Sequence, residues 1–201
     1  MSLRQFNTVI KGATIYDGKG EDPYCADVGI RGEKIAAIGN LNTDGANVIE
    51  AAGLSLMPGI IDVHTHYDAQ ITWDPTLSPS PSMGVTTAVM GNCGFGIVPC
   101  PPEHQEIMLK NLSVVEGMNL KTLLEGTQWK FETFPEYIKY LDEQRPHANV
   151  AVLIGHSAVR TAVMGSESST RINPTEAELD AMSFIAVSYT HLRAHEPRHD
   201  L

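Results

Sequence analysis

Three side chains in this 201-residue chain have the types and spacing for metal chemistry: His64, His66 and Cys93. The histidines sit in PGIIDVHTHYD, residues 58–68, where a Pro58-Gly59 turn leads into a short apolar burst. Side chains alternate across an extended strand, so residues two apart leave the same face, about 7 Å apart along the backbone. That geometry suits two ligands of one metal ion or of a close metal pair. It suits equally a pair of ordinary strand-end histidines. Cys93 lies in GNCGFG, residues 91–96, with glycine close on both sides. Small neighbours let the backbone turn sharply and expose the thiol. The plain alternative is a buried, inert cysteine. The segment has neither the dinucleotide-binding spacing nor a P-loop lysine, so it does not read as a phosphate cradle.

The elements that must position these residues can be read from the same sequence. Thr8–Tyr16 alternates, is rich in β-branched residues, and ends at a glycine-rich turn. Ala26–Arg31 and Lys34–Gly39 flank Gly32-Glu33 as a hairpin, and Asn47–Ala51 and Leu54–Met57 flank a break at Gly53. Five short strands with turns between them predict a small sheet layer. After Pro58 the pattern changes. Gly59–Val63, Val85–Met90 and Asn149–Ile154 are nearly continuous apolar runs, expected of strands covered on both faces. Helices are expected at Glu103–Val115, Leu120–Leu124, Thr133–Gln144 and Pro174–Ile185. The third has Thr133 and Glu136 at capping-box spacing, and the fourth is announced by Asn173-Pro174 with Glu176. Buried strands alternating with helices predict parallel βα units. Adjacent parallel strands end on the same rim, so His64, His66 and Cys93 would converge as N, N and S donors. Zn2+ accepts that set at about 2.0–2.3 Å.

Of the other histidines, His104 and His147 lie in polar stretches and read as surface residues. His156 follows the third strand in IGHS, either as a residue that contacts substrate or supports the site, or as a hydrogen-bonded loop histidine.

Composition narrows the function classes. Hydrophobic residues make up 42% and charged residues 19%, enough apolar material for a core. A formal charge of -10 argues against nucleic acid or an anionic membrane surface as partner. No apolar run approaches the length of a membrane span, and the N-terminus has no signal-peptide core. The three cysteines, Cys25, Cys93 and Cys100, fit a reducing compartment, and a cytoplasmic protein is expected. The sequon at Asn111-Leu112-Ser113 is then without meaning.

Residues 186–196, AVSYTHLRAHE, can be encoded by a string resembling the transposase adapter of short-read sequencing libraries. The native sequence is therefore expected to stop near Ile185. His191, His195 and His199 lie in this tail and are excluded from any site.

PGIIDVHTHYD, preceded by DVGIRGEKIAAIG and followed by GVTTAVMGNCG, resembles the amidohydrolase superfamily. Within it the chain is similar to the N-acyl-D-amino-acid deacylases over residues 7 to about 185. The IGH third strand and the NPTEAELDAM helix match in order and spacing. The resemblance implies an α/β fold, a metal-bearing (β/α)8 barrel beside a small β-sandwich. Residues 1–57 would supply the N-terminal part of the sandwich, 58–185 the first part of the barrel, and 186–201 the adapter-like tail. It implies Zn2+ as cofactor and His64, His66 and Cys93 as its ligands. In deacylases a cysteine after the second strand binds or bridges zinc, where other branches use a carboxylated lysine. Asp68 is implied either as a group orienting an imidazole or as a solvated loop carboxylate. The implied reaction is hydrolysis of an N-acyl-D-amino acid, with zinc polarising the amide carbonyl and acidifying a water.

The chain also departs from that pattern. A (β/α)8 barrel takes about 250 residues, and the stretch after Pro58 suffices for about half of one. The family's remaining histidine ligands and its catalytic aspartate come from later strands. An inactive fragment is thus expected, with self-association through an exposed half-barrel. Two alternatives stay open: another cyclic-amide hydrolase, such as a hydantoinase or dihydroorotase relative, and an inert metal-binding fragment.

Overall fold

The computed structural model describes residues 5–191. It divides into two compact units, one up to Gly59 and one from Ile60.

In the first unit, Thr8–Ile15 (β1), Tyr24–Arg31 (β2), Lys34–Gly39 (β3), Asn47–Glu50 (β4) and Ser55–Leu56 (β5) form one sheet. Its order is β3-β2-β1-β4, with β5 also paired to β1. The first three strands are antiparallel, whereas β4 and β5 run parallel to β1. The alternation in β1 buries Val9, Ala13 and Ile15, which join Phe6 and Val28 in a small core. Buried Asp27 is satisfied by the backbone N–H groups of Gly12 (2.8 Å) and Leu41 (3.1 Å).

The second unit holds a three-stranded parallel sheet, Ile60–Thr65 (β6), Val85–Met90 (β7) and Asn149–Val152 (β8), in the order β6-β7-β8. The helices are Tyr67–Gln70 (α1), Gln105–Glu116 (α2), Leu120–Gly126 (α3), Phe134–Gln144 (α4), His156–Met164 (α5) and Glu176–His191 (α6). Strand and helix alternate as expected, and the sheet does not close into a barrel within the described residues.

Ala88 and Met90 of β7 pair with Val150 and Val152 of β8. Met90, Val150 and Val152 face a core built from Ile71, Leu109, Leu112, Leu123, Phe131 and Tyr137. The other face is open, and this corrects the expectation of strands covered on both sides. Ile61 and Val63 are 61% and 59% exposed. The physical reason is position: β6 is an edge strand, and the described helices pack over the face that carries Met90 and Val152.

Helix α4 opens as its sequence predicts. The Glu136 carboxylate accepts from the backbone N–H groups of Glu132 (2.9 Å) and Thr133 (3.0 Å), which holds its pKa below the usual range. Its buried face carries Tyr137 and Tyr140, whose rings pack on Phe131 at 4.6 and 5.4 Å. Helix α6 is capped two residues later than expected. Thr175 and Glu178 exchange the capping bonds, with Thr175 N donating to Glu178 at 2.7 Å and Glu178 N donating to Thr175 at 3.3 Å. The helix continues past Ile185, and Tyr189 stacks on Phe134. Residues 192–201, most of the adapter-like segment, lie outside the described residues.

Helices α1 and α5 have no counterpart in the sequence reading. Glycine rather than a side-chain cap precedes α5, so HSAVRTAVM carries no start signal, although Ala158, Val159 and Thr161 bury a face. Among the described residues, no helix is long and apolar enough to cross a membrane.

Candidate metal centre

The site is assembled by the ends of β6 and β7. The strand carries His64 as far as Thr65, and His66 falls one residue beyond, at the N-terminus of α1. The two imidazoles stand with ring centroids 5.4 Å apart and planes tilted by 49°. Thr65 is buried between them and donates from its hydroxyl to the Val89 carbonyl (2.9 Å), which locks the end of β6 to β7.

The GNCG turn is held from three sides. Gly94 N donates to Gly91 O (3.0 Å), and Asn92 Nδ2 donates to the carbonyl of Val63 (2.8 Å), next to His64. Leu153 N donates to Met90 O (2.9 Å), and Ser157 N donates to Gly94 O (2.8 Å). The glycines are required by these approaches. Gly91 has φ +80°, and a Cβ there would fall 2.2 Å from the Leu153 carbonyl oxygen. A Cβ at Gly155 would fall 2.8 Å from Gly94 O. The packing of β8 and α5 against this turn thus aims Cys93 back toward β6.

As a result Cys93 Sγ lies 3.4 Å from His66 Nε2. Donor atoms of His64, His66 and Cys93 all fall within 4.8 Å of one another. Ligand atoms around one tetrahedral zinc ion sit about 3.4–3.7 Å apart, given bonds of about 2.0–2.3 Å. The donor set therefore fits zinc in its chemistry, and the Cys93–His66 pair matches that spacing at 3.4 Å. Cys93 and His64 are exposed and His66 is half-buried, so the site is open to a ligand from solvent.

Asp68 and His156 are placed differently from each other and from these three. Asp68 is fully buried in α1, which removes the solvated-loop alternative. Burial first, and the nearby Glu116 carboxylate second, push its pKa up to about 7. Its Oδ2 has no hydrogen-bond partner among the described residues. The backbone around it is fixed by α4: Tyr137 Oη donates to Asp68 O (2.9 Å) and Tyr140 Oη to Thr72 O (3.3 Å). His156 is an exposed residue of the first turn of α5, not a loop histidine, and its Cβ lies on the Gly94 side of the turn.

One residue at the site escaped the sequence reading. Glu116, the last residue of α2, places Oε1 3.2 Å from His66 Nδ1. A signal was present in Val115-Glu116-Gly117. A carboxylate in the last turn of a helix opposes the macrodipole, so it needs a compensating partner elsewhere.

The chain belongs to the amidohydrolase family, whose profile matches residues 47–197. It is 36% identical to a D-aminoacylase of Alcaligenes xylosoxydans xylosoxydans over 160 residues, covering 79% of this chain and 31% of that enzyme. A crystal structure of D-aminoacylase superposes with a TM-score of 0.73 at 35% identity, covering 90% of this chain and 35% of that one. An N-acyl-D-glutamate deacylase from Bordetella bronchiseptica, solved with zinc and a phosphonate mimic of the tetrahedral intermediate, superposes at 0.72 and 34% identity, with 90% and 35% covered. The chain thus spans about a third of the length of the relatives it matches.

Proposed function

We propose that the complete protein is a zinc-dependent hydrolase that converts an N-acyl-D-amino acid and water to the free D-amino acid and a carboxylate. The single observation that supports this is the convergence of Cys93 with His64 and His66 at the ends of adjacent parallel strands. It occurs in a chain similar to D-aminoacylase and to an N-acyl-D-glutamate deacylase. His64, His66 and Cys93 would hold the metal. When bound, zinc supplies Lewis acidity, polarising a carbonyl and easing deprotonation of water.

The chain's own residues contribute placement. Asn92 and Thr65 tie the two strand ends together, so the imidazoles and the thiol keep one geometry. Tyr137 and Tyr140 fix the turn that follows His66. The β6-β7-β8 layer is read as the first part of a (β/α)8 barrel, and the five-stranded sheet as part of the accompanying sandwich. Further ligands and the catalytic aspartate would come from later strands of the complete protein. The 201-residue chain alone is therefore expected to bind metal without turnover.

The test is release of amino acid by the full-length gene product from N-acetyl-D- and N-acetyl-L-amino acids, with a hydantoin and dihydroorotate as further substrates. Release confined to the D-series is expected. Equal rates on both enantiomers, or turnover of the cyclic amides alone, would remove the assignment.

A further inference from the structure

We propose that Glu116 is a positioning residue for His66: it holds the imidazole in the Nδ1–H tautomer, which leaves the lone pair on Nε2, the nitrogen nearer Cys93. The inference rests on the metal reading for its consequence, though its geometric core does not. An ionised carboxylate can only accept hydrogen bonds, so the imidazole nitrogen facing it must carry the proton. That nitrogen is Nδ1, 3.2 Å from Glu116 Oε1. In the neutral imidazole the opposite nitrogen, Nε2, then carries the lone pair, and it is the one nearer Cys93 Sγ, at 3.4 Å against 3.9 Å for Nδ1. Thiol, imidazole and carboxylate thus form one chain across three elements, the β7–α2 turn, the β6–α1 junction and the end of α2.

Placement of the carboxylate supports the assignment. The His66 side chain is 15% exposed and that of Glu116 23%, so the pair is largely shielded from water. Glu116 ends α2, followed by Gly117 in the left-handed conformation, where the helix dipole disfavours a negative charge. A carboxylate kept there in spite of the dipole is offset by a hydrogen-bond donor, and His66 supplies it. Helix α2 is anchored by buried Met108, Leu109 and Leu112, so Glu116 is delivered by a packed element and not by a loop. An outer carboxylate of this kind fixes ring orientation and raises the basicity of the ligating nitrogen. Its removal elsewhere costs about 10–100-fold in metal affinity.

The test uses the 201-residue chain with zinc as probe. Long-range 15N–1H correlation spectra of the metal-free protein report the His66 tautomer. Competition with a chromophoric chelator reports zinc affinity of the wild type, Glu116→Gln and Glu116→Ala, with far-UV circular dichroism as the folding control. Expected are an Nδ1–H tautomer in the wild type, zinc binding weakened about 10–100-fold in Glu116→Ala, and an intermediate loss in Glu116→Gln, whose amide oxygen still accepts. An Nε2–H tautomer in the wild type overturns the proposal, as does a folded Glu116→Ala chain with zinc affinity within about twofold of wild type. If the wild type binds no zinc, the metal reading fails and the tautomer alone decides the pairing. The wild-type tautomer also decides it if the variants do not fold.

Discussion

Cys93 Sγ stands 3.4 Å from His66 Nε2, although 27 residues separate them in the chain. Two strand ends, one parallel pairing and a turn with no room for a Cβ at Gly91 bring them together. The relationship makes the cysteines of this chain chemically unequal. Cys100 is fully buried, and burial foremost pushes its pKa up to about 12, whereas Cys25 and Cys93 are exposed. Iodoacetamide labelling read by peptide mass spectrometry is expected to modify Cys25 and Cys93 and spare Cys100. Zinc is expected to protect Cys93 alone. Protection of Cys25 to the same extent would show that zinc does not select this site.

The GNCG turn leads to a second prediction. A Cβ at position 91 would overlap the Leu153 carbonyl, and φ there is +80°. Gly91→Ala is expected to cost about 2 kcal/mol or more in urea unfolding, and to reduce zinc binding because Cys93 is carried by the same turn. Gly20→Ala, at a glycine of similar φ with nothing within 4 Å, provides the comparison for backbone strain alone.

Much of this arrangement was legible in the sequence, and the exceptions have physical causes. The runs VTTAVM and KIAAIG appear as strands over the ranges expected, because β-branched or apolar runs bounded by glycine admit few alternatives. HTH and GNCG come together because parallel pairing ends β6 and β7 side by side, the ends that carry the two imidazoles and the thiol. Glu116 and the burial of Asp68 were not legible. Both depend on how α2 and α4 dock over the sheet, a tertiary relation that local periodicity does not encode. The open face of β6 was misjudged for a related reason: IIDV reads as doubly buried, and the described residues supply helices to one face only.

Tyr137 tests the support beneath His66. Its buried hydroxyl donates to the Asp68 carbonyl, two residues past His66. Tyr137→Phe keeps the ring against Phe131 and leaves that carbonyl unpaired. A loss of about 1–2 kcal/mol in unfolding free energy is expected, with secondary structure unchanged by circular dichroism. A loss below about 0.3 kcal/mol would mean that the bond does not hold the α1 segment.

Helix α6 is tied to the preceding loop by Arg171, which pairs with Glu167 and Glu178. The Arg171 hydrogen bond, with the capping N–H of Thr175, holds the pKa of Glu178 down to about 2 from an ordinary 4.5. A depressed carboxylate contributes stability that is full above its unfolded value and disappears as pH falls through its folded value. Melting temperatures of wild type and Glu178→Gln are therefore expected to differ at pH 7 and to converge between about pH 4.5 and pH 2. A gap that persists unchanged at pH 2 would assign the difference to packing.

The central claim is that His64, His66 and Cys93 hold one metal centre, and equilibrium dialysis of the 201-residue chain against zinc tests it most directly. Wild type is predicted to retain zinc, with Cys93→Ala and His64→Ala each weakening retention by about tenfold or more. Zinc binding left unchanged by both substitutions would contradict the account.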